Sequence, residues 1–254
     1  MPGGRGIALP TFSAVVAAAV AREVTFGVLP IESSSSGPVA ETHDLLYEAP
    51  LSIVAETMLH VSHCVVGTGT RDLSEVRTIR SHPVALDQCR MFLDSMPSVK
   101  RISSATTADA AREVAEAGDP TQVAIAGREA ARLYELDILA ADVGDDPHTH
   151  TRFVAVAPYT RLDGATDEWR TSLAFVTDHR PGALFHALAP FAAHGIDLVQ
   201  LVSRPLPRSR WRYRFDAVLA GHLLDDEVHA ALRELSTLTR ALRILGSYPP
   251  GVEP

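Results

Sequence analysis

Four consecutive serines, Ser33 to Ser36, close a short β-rich run and are followed by Gly37. The segment from Val39 to Tyr47 has helical spacing. Backbone N–H groups and hydroxyls ahead of a helix N-terminus suit an anion, because they present donors beside a partial positive charge. The same serines also suit capping of that helix. Glu32, one residue upstream, can orient a donor or touch a ligand hydroxyl. Thr151 opens a second β-rich run. Its hydroxyl is one donor and an acceptor, fit to polarise a departing oxygen or relay a proton, and fit equally to start an ordinary strand. Arg152 can clamp a carboxylate or form a structural ion pair. Strand side chains alternate, so Thr151 and Phe153 share one face and Arg152 takes the other. Ser81 stands just before a helical segment as a possible cap, and Gln88 lies about two turns further along it.

Other polar residues offer less. His60 and His63 fall on opposite faces of a strand, and His148 and His150 flank Thr149 without the further ligands zinc needs. Cys64 and Cys89 lack a CxxC or metal spacing and read as buried, inert thiols in a reducing compartment. Neither a metal nor another cofactor is expected. The net charge of −8 opposes the basic footprint of a nucleic-acid binder. The run Arg204, Arg208, Arg210, Arg212, Arg214 reads as a solvated loop. Nothing approaches the roughly 18 apolar residues of a membrane span. The apolar stretch Ile7 to Ala21 is broken by Pro10, Thr11 and Ser13. It reads as a helix over Ser13 to Arg22 capped by Ser13, not as a signal peptide, which points to the cytoplasm.

The elements that must position these residues alternate between strand and helix. Strands are expected at Val24–Ile31, within Leu51–Val66, at Gln122–Ala126 and at Thr151–Ala157. Helices are expected at Val39–Tyr47, Val84–Met96, Thr106–Ala117 and Arg128–Tyr134. That alternation predicts an α/β domain with a largely parallel sheet over residues 1–158. A polar stretch around Asp163-Gly164 marks a linker over 159–170. Beyond it, strand, helix, two strands, helix and strand succeed one another over 171–249, a ferredoxin-like βαββαβ order. In its third strand Arg214 and Asp216 alternate with Tyr213, Phe215 and Ala217, giving one more polar face.

Five segments carry a resemblance. Gly27-Val-Leu-Pro-Ile-Glu-Ser-Ser-Ser-Ser-Gly37 resembles the GVVPIENSxxG loop of prephenate dehydratases. Ser81 to Cys89 is similar to their SHPQALxQC helix start, and Thr151-Arg152-Phe153 to their TRF signature. Gly182-Ala183-Leu184 and Val202-Ser203-Arg204-Pro205 resemble the GAL and ESRP motifs of the phenylalanine-sensing ACT module. The closing run Leu245 to Pro249 fits as well. The family's opening strand and GPxGT loop have no counterpart, so the expected two-subdomain dehydratase domain is N-terminally shortened. Ser33 replaces the family's Asn, Val84 its Gln, Thr149 an Asn and Val202 a Glu.

The resemblance implies decarboxylating dehydration of prephenate to phenylpyruvate, with Thr151 at the leaving hydroxyl. Glu32, Ser33, Ser34, Ser81, Gln88, Arg152 and Phe153 would line the substrate cleft. Gly182, Ala183, Leu184, Ser203, Arg204 and Pro205 would bind phenylalanine as effector at a subunit interface, in a homodimer or homotetramer. Val202, in place of Glu, implies an altered phenylalanine response. Two other readings fit a changed site: a prephenate decarboxylase that does not aromatise the ring, and a truncated, non-catalytic amino-acid sensor.

Overall fold

The computed structural model describes residues 4–69, 72–160, 168–206, 209 and 212–251. The Asp163-Gly164 part of the expected linker, and Arg208 and Arg210 of the basic run, lie outside the described residues.

The chain opens with α1 (Phe12–Val20), capped by Thr11, whose hydroxyl accepts from the Ala14 N–H. The cap is therefore Thr11 and not Ser13, because the helix starts one residue before Ser13. Then follow β1 (Gly27–Ser33), β2 (Gly37–Pro38), α2 (Ala40–Glu48) and β3 (Ser52–His60). The middle of the chain supplies β4 (Cys64–Gly67), β5 (Thr78–Ser81), α3 (Pro83–Gln88), α4 (Arg90–Asp94) and β6 (Lys100–Ser103). After them come α5 (Thr107–Ala117), β7 (Gln122–Ala126), α6 (Arg128–Leu133), β8 (Asp137–Ala140) and β9 (His150–Ala157). The last third is β10 (Arg170–Val176), α7 (Ala183–Ala193), β11 (Leu198–Pro205), β12 (Tyr213–Ala220), α8 (Asp226–Leu238) and β13 (Ala241–Tyr248).

Two compact units result: Met1–Leu59 with Thr151–Pro254, and His60–His150. In the second unit five strands run in the order β6-β5-β7-β4-β8. Here β5 is parallel to β6 and β7, while β4 is antiparallel to β7 and β8. The sheet is therefore mixed and not largely parallel. Short strands at 78–81, 100–103 and 137–140 escaped the pattern because each is only four residues long. Both faces of β4 are covered: Cys64 and Val66 meet Ala110, Ala111 and Val114 of α5, while Val65 packs with Ile79, Leu93 and Ile125. Coverage on both sides explains why this strand reads as a continuous apolar run.

The single helix expected over Val84–Met96 is two. The backbone breaks at Cys89 (φ −117°, ψ 32°), and the Asp145 carboxylate accepts from the N–H groups of Arg90 and Met91. A carboxylate on two orphan donors is the usual way a helix N-terminus is satisfied. A distant side chain thus starts α4 where local spacing alone would run on.

In the first unit one sheet has the order β2-β1-β9-β3 and another β11-β12-β10-β13. One face of the second sheet, with Leu173, Phe175, Ala217 and Leu219, packs on Ala187 and Phe191 of α7 and Val228, Ala231 and Leu235 of α8. Ala174, on the other face, joins Leu29, Leu46, Ile53, Val154 and Tyr248 in a separate core. The β12 face read as polar is therefore covered by protein. Arg214 is 1% and Asp216 5% exposed.

Candidate functional site

The serine loop is a turn between antiparallel strands. Ser33 ends β1 and pairs with Gly37 of β2, so Ser34 to Ser36 form the reversal. The Ser33 hydroxyl accepts from the Ser35 N–H at 3.4 Å and lies 3.1 Å from the Ser35 hydroxyl. Helix α2 starts only after β2, at Ala40, and its cap Val39 makes no side-chain bond. No serine caps it, which corrects that reading, and β2 intervenes between the loop and the helix terminus.

Strands β1 and β9 are antiparallel, and Ser33 stands opposite Thr151. The register carries a bulge: Pro30 opposes Phe153, Glu32 opposes Arg152, and Ile31 is the extra residue. A bulge rephases the alternation of side chains. Without it, Glu32 would share the face of Pro30, Phe153 and Thr151. With it, Ser33 takes that face and Glu32 turns to Arg152's side, since directly opposed antiparallel residues project together. Thr151 and Phe153 are half-buried, and Arg152 and Val154 are buried.

Arg152 points into the protein. Its guanidinium lies 2.9 Å from Glu32 and 3.5 Å from Glu56, and donates to Gln200 Oε1 at 2.5 Å. Glu56, whose side chain has no exposed surface, also meets Arg170 at 2.5 Å and accepts from the Gly251 N–H. A carboxylate so deeply desolvated is sustained only by such partners. Tyr248 lies in the same region, 2.6 Å from the Ser172 hydroxyl, and burial, then the Glu56 charge, pushes its phenol up to about 12. The structure thus gives Arg152 and Glu32 an ion pair with each other.

In the other unit, Ser81 is fully buried and its hydroxyl donates to the Ile125 carbonyl at 2.6 Å, tying β5 to β7. The helix cap is His82, whose Nδ1 accepts from the Val84 N–H. Gln88 ends α3, with its Oε1 2.8 Å from His63 Nε2. Thr149 donates to the Asp146 carbonyl. Cys64 and Cys89 are free and buried, and burial, helped by the Asp145 charge, pushes the Cys89 thiol up to about 12.

In the C-terminal segment Gly182 caps α7 in the left-handed region (φ 76°), Ala183 is buried and Leu184 half-buried against the α7/α8 core. Ser203 and Pro205 are exposed on β11, while Arg204 between them pairs with Asp44 of α2 at 2.6 Å. Arg214 reaches the same carboxylate at 3.1 Å and Asp216 at 2.7 Å, and Asp216 lies 3.0 Å from His43 Nδ1. Arg204 and Arg214 are therefore ion-paired and not a solvated run. Sequence reading passed over Asp44, Glu56 and Gln200, and placed Asp216 on a polar strand face without its partners. The one local signal was the opposite charge of Arg214 and Asp216 on one strand face, which fits a buried pair.

These features define an α/β protein of several mixed and antiparallel sheets, with a serine turn and a threonine paired across two strands. A family model described as prephenate dehydratase matches residues 2–160. The chain is 37% identical over 247 residues to the prephenate dehydratase of Mycolicibacterium gilvum, covering 96% of this chain and 79% of that protein. Among solved structures it is similar to the prephenate dehydratase of Arthrobacter aurescens in complex with L-Phe (TM-score 0.89, 31% identity, 98% of this chain and 84% of that one). It is also similar to GqqA, described as a novel type of quorum quenching acylase (TM-score 0.88, 33% identity, 98% and 91% covered). The chain belongs to the prephenate dehydratase family. It spans 58% of the bifunctional chorismate mutase/prephenate dehydratase of Enterobacter agglomerans, to which it is 34% identical.

Proposed function

We propose that this chain converts prephenate into phenylpyruvate. The observation that carries the reading is the family match together with Thr151, set opposite the first serine of the serine turn. In the reaction the bond from ring to carboxylate breaks and carbon dioxide leaves. The released electron pair enters the ring as the 4-hydroxyl departs, and a proton joins the departing oxygen to give water. Aromatisation supplies the driving force, so the protein has only to lower the barrier. Thr151 donates a hydrogen bond to the departing oxygen, a contribution of roughly 3–4 kcal/mol for a well-placed donor. Ser33 and Ser34 supply donors for substrate oxygens, with Phe153 packing on Thr151's face. Ser81, fully buried and bonded to the Ile125 carbonyl, acts through the strand it fixes. Arg152 and Glu32 act by holding the two paired strands.

Residues 171–249 act as an ACT regulatory domain after a 159–170 linker and the 1–158 catalytic domain. The strand order β11-β12-β10-β13, with α7 and α8 on one face, supports a ferredoxin-like reading of that segment. Phenylalanine is the proposed effector, at Gly182 to Leu184 and Ser203 to Pro205, in a homodimer or homotetramer. Among the described residues no helix is long and apolar enough to cross a membrane, and the proposed location is the cytoplasm.

The test is turnover of prephenate by the purified chain, with phenylpyruvate followed by its alkaline ultraviolet absorbance and Thr151→Ala as control. Phenylpyruvate formed by the wild type and nearly lost in the variant is the expected result. Prephenate consumed without phenylpyruvate would replace the reading with decarboxylation alone. No consumption by folded protein would favour the non-catalytic sensor.

A further inference from the structure

We infer that Gln200 is a positioning residue for the Ser33–Thr151 pair, linking strand β11 to the reacting face. Both ends of its amide are used: Oε1 accepts from Arg152 Nη2 at 2.5 Å, and Nε2 donates to Glu32 Oε1 at 2.7 Å. Those partners are immediate chain neighbours of the site, since Glu32 precedes Ser33 and Arg152 follows Thr151. They also oppose each other across β1 and β9, at the register step beyond the bulge. Arg152 and Glu32 therefore form the last cross-strand pair before Ser33 and Thr151, and Gln200 closes a three-membered ring of bonds on it.

The geometry suits alignment. A bulge leaves one residue unpaired and loosens the ladder beside it, so the register at Ser33 depends on whatever holds the adjacent pair. Gln200 is neutral and so can accept from a cation and donate to an anion at once. Lys would repel Arg152 there, and Glu would repel Glu32. Gln200 is anchored in turn by its strand, which pairs with β12 and continues into Ser203, Arg204 and Pro205. A displacement of β11 along its length would move the amide, and with it the pair that sets Ser33 against Thr151. This deepens the dehydratase reading and rests on it for its activity readout.

The experiment compares wild type with Gln200→Met, which keeps volume and loses both amide bonds, and Gln200→Ala, which loses the volume too. Prephenate kinetics, melting temperature and amide hydrogen exchange at Ser33, Ser34 and Thr151 are measured on the full chain. The expected result in both variants is kcat lowered about tenfold, as small misplacements of reacting groups allow, with KM changed less than about threefold. Exchange at those amides should quicken while the melting temperature holds within about 3 °C, a shift of roughly 1 kcal/mol. Unchanged kcat in folded Gln200→Met overturns the inference, as does a kcat loss that merely follows a lower melting temperature. If the wild type turns over no prephenate, the dehydratase reading fails separately. Unchanged exchange at Ser33 and Thr151 then overturns the positioning role on its own.

Discussion

Ser33 and Thr151 oppose each other across β1 and β9, on a face they share only because a bulge at Ile31 rephases β1. If the Thr151 hydroxyl meets the departing oxygen, its chemistry and its shape can be separated. Thr151→Val keeps the branched shape and should lower kcat by about 10²–10³-fold. Thr151→Ser keeps the hydroxyl and should stay within about tenfold of wild type. Equal losses in the two variants, read by phenylpyruvate absorbance, would remove the hydroxyl from the mechanism.

Asp216 holds Arg214 through two bonds, of 2.7 and 2.9 Å, in a buried setting. Asp216→Ala should destabilise by about 3 kcal/mol, because it leaves a buried guanidinium with Asp44 as its remaining carboxylate partner. The melting temperature should drop by roughly 10 °C. Replacing both partners, Arg214→Met with Asp216→Leu, should cost less than the sum of the single changes. A strictly additive result in calorimetry would mean the two residues do not act as a pair.

Asp44 should show its ion pairs through pH. Burial alone would raise its pKa, but bonds and charges from Arg204 and Arg214 outweigh burial and hold it below the usual carboxylate range. With the folded value below the unfolded value of about 3.9, the stabilisation is present at neutral pH and lost as pH falls through the folded value. The Asp44 side chain is 42% exposed, so the effect is modest. Asp44→Asn should melt below wild type at about pH 7, and the gap should be smaller at about pH 2.5. An equal gap at both values would contradict the assignment.

Gly246 should tolerate no side chain. Its φ is +143°, and an added Cβ would collide with the Ile53 carbonyl oxygen on β3. The clash is with backbone, which no rotamer change relieves. Gly246→Ala should give little soluble protein, and what forms should lose more than about 3 kcal/mol in denaturant titration.

Cys64 and Cys89 should resist modification while the protein is folded. Both are buried, and Cys89 is pushed up to about 12, so almost no thiolate exists near neutral pH. An alkylating reagent read by intact mass should label both only in denaturant. Rapid labelling of native protein would show that the second unit opens.

Much of this protein was legible before its tertiary structure. The α5 helix and the strand at Gln122–Ala126 follow from helical spacing and β-rich composition. The order of elements after residue 170 follows from periodicities of four and two. Side-chain alternation along β9 also held: Thr151 and Phe153 lie on one face and Arg152 on the other. These features are local, set by a few neighbouring residues, so a linear reading reaches them.

What lay beyond the sequence was what covers each face. Period-two alternation shows that Arg214 and Asp216 share a side, but not that α2 brings His43 and Asp44 to cover it. Local spacing extends a helix through Cys89, while Asp145, more than fifty residues away, divides it. The bulge at Ile31 is a property of two paired strands, and it alone decides that Glu32 turns to Arg152 while Ser33 joins Thr151. Sequence by itself determined the longer elements and the motifs of the family. Tertiary pairing decided which faces are buried and which polar groups meet, because desolvation and ion pairing depend on partners far apart in the chain.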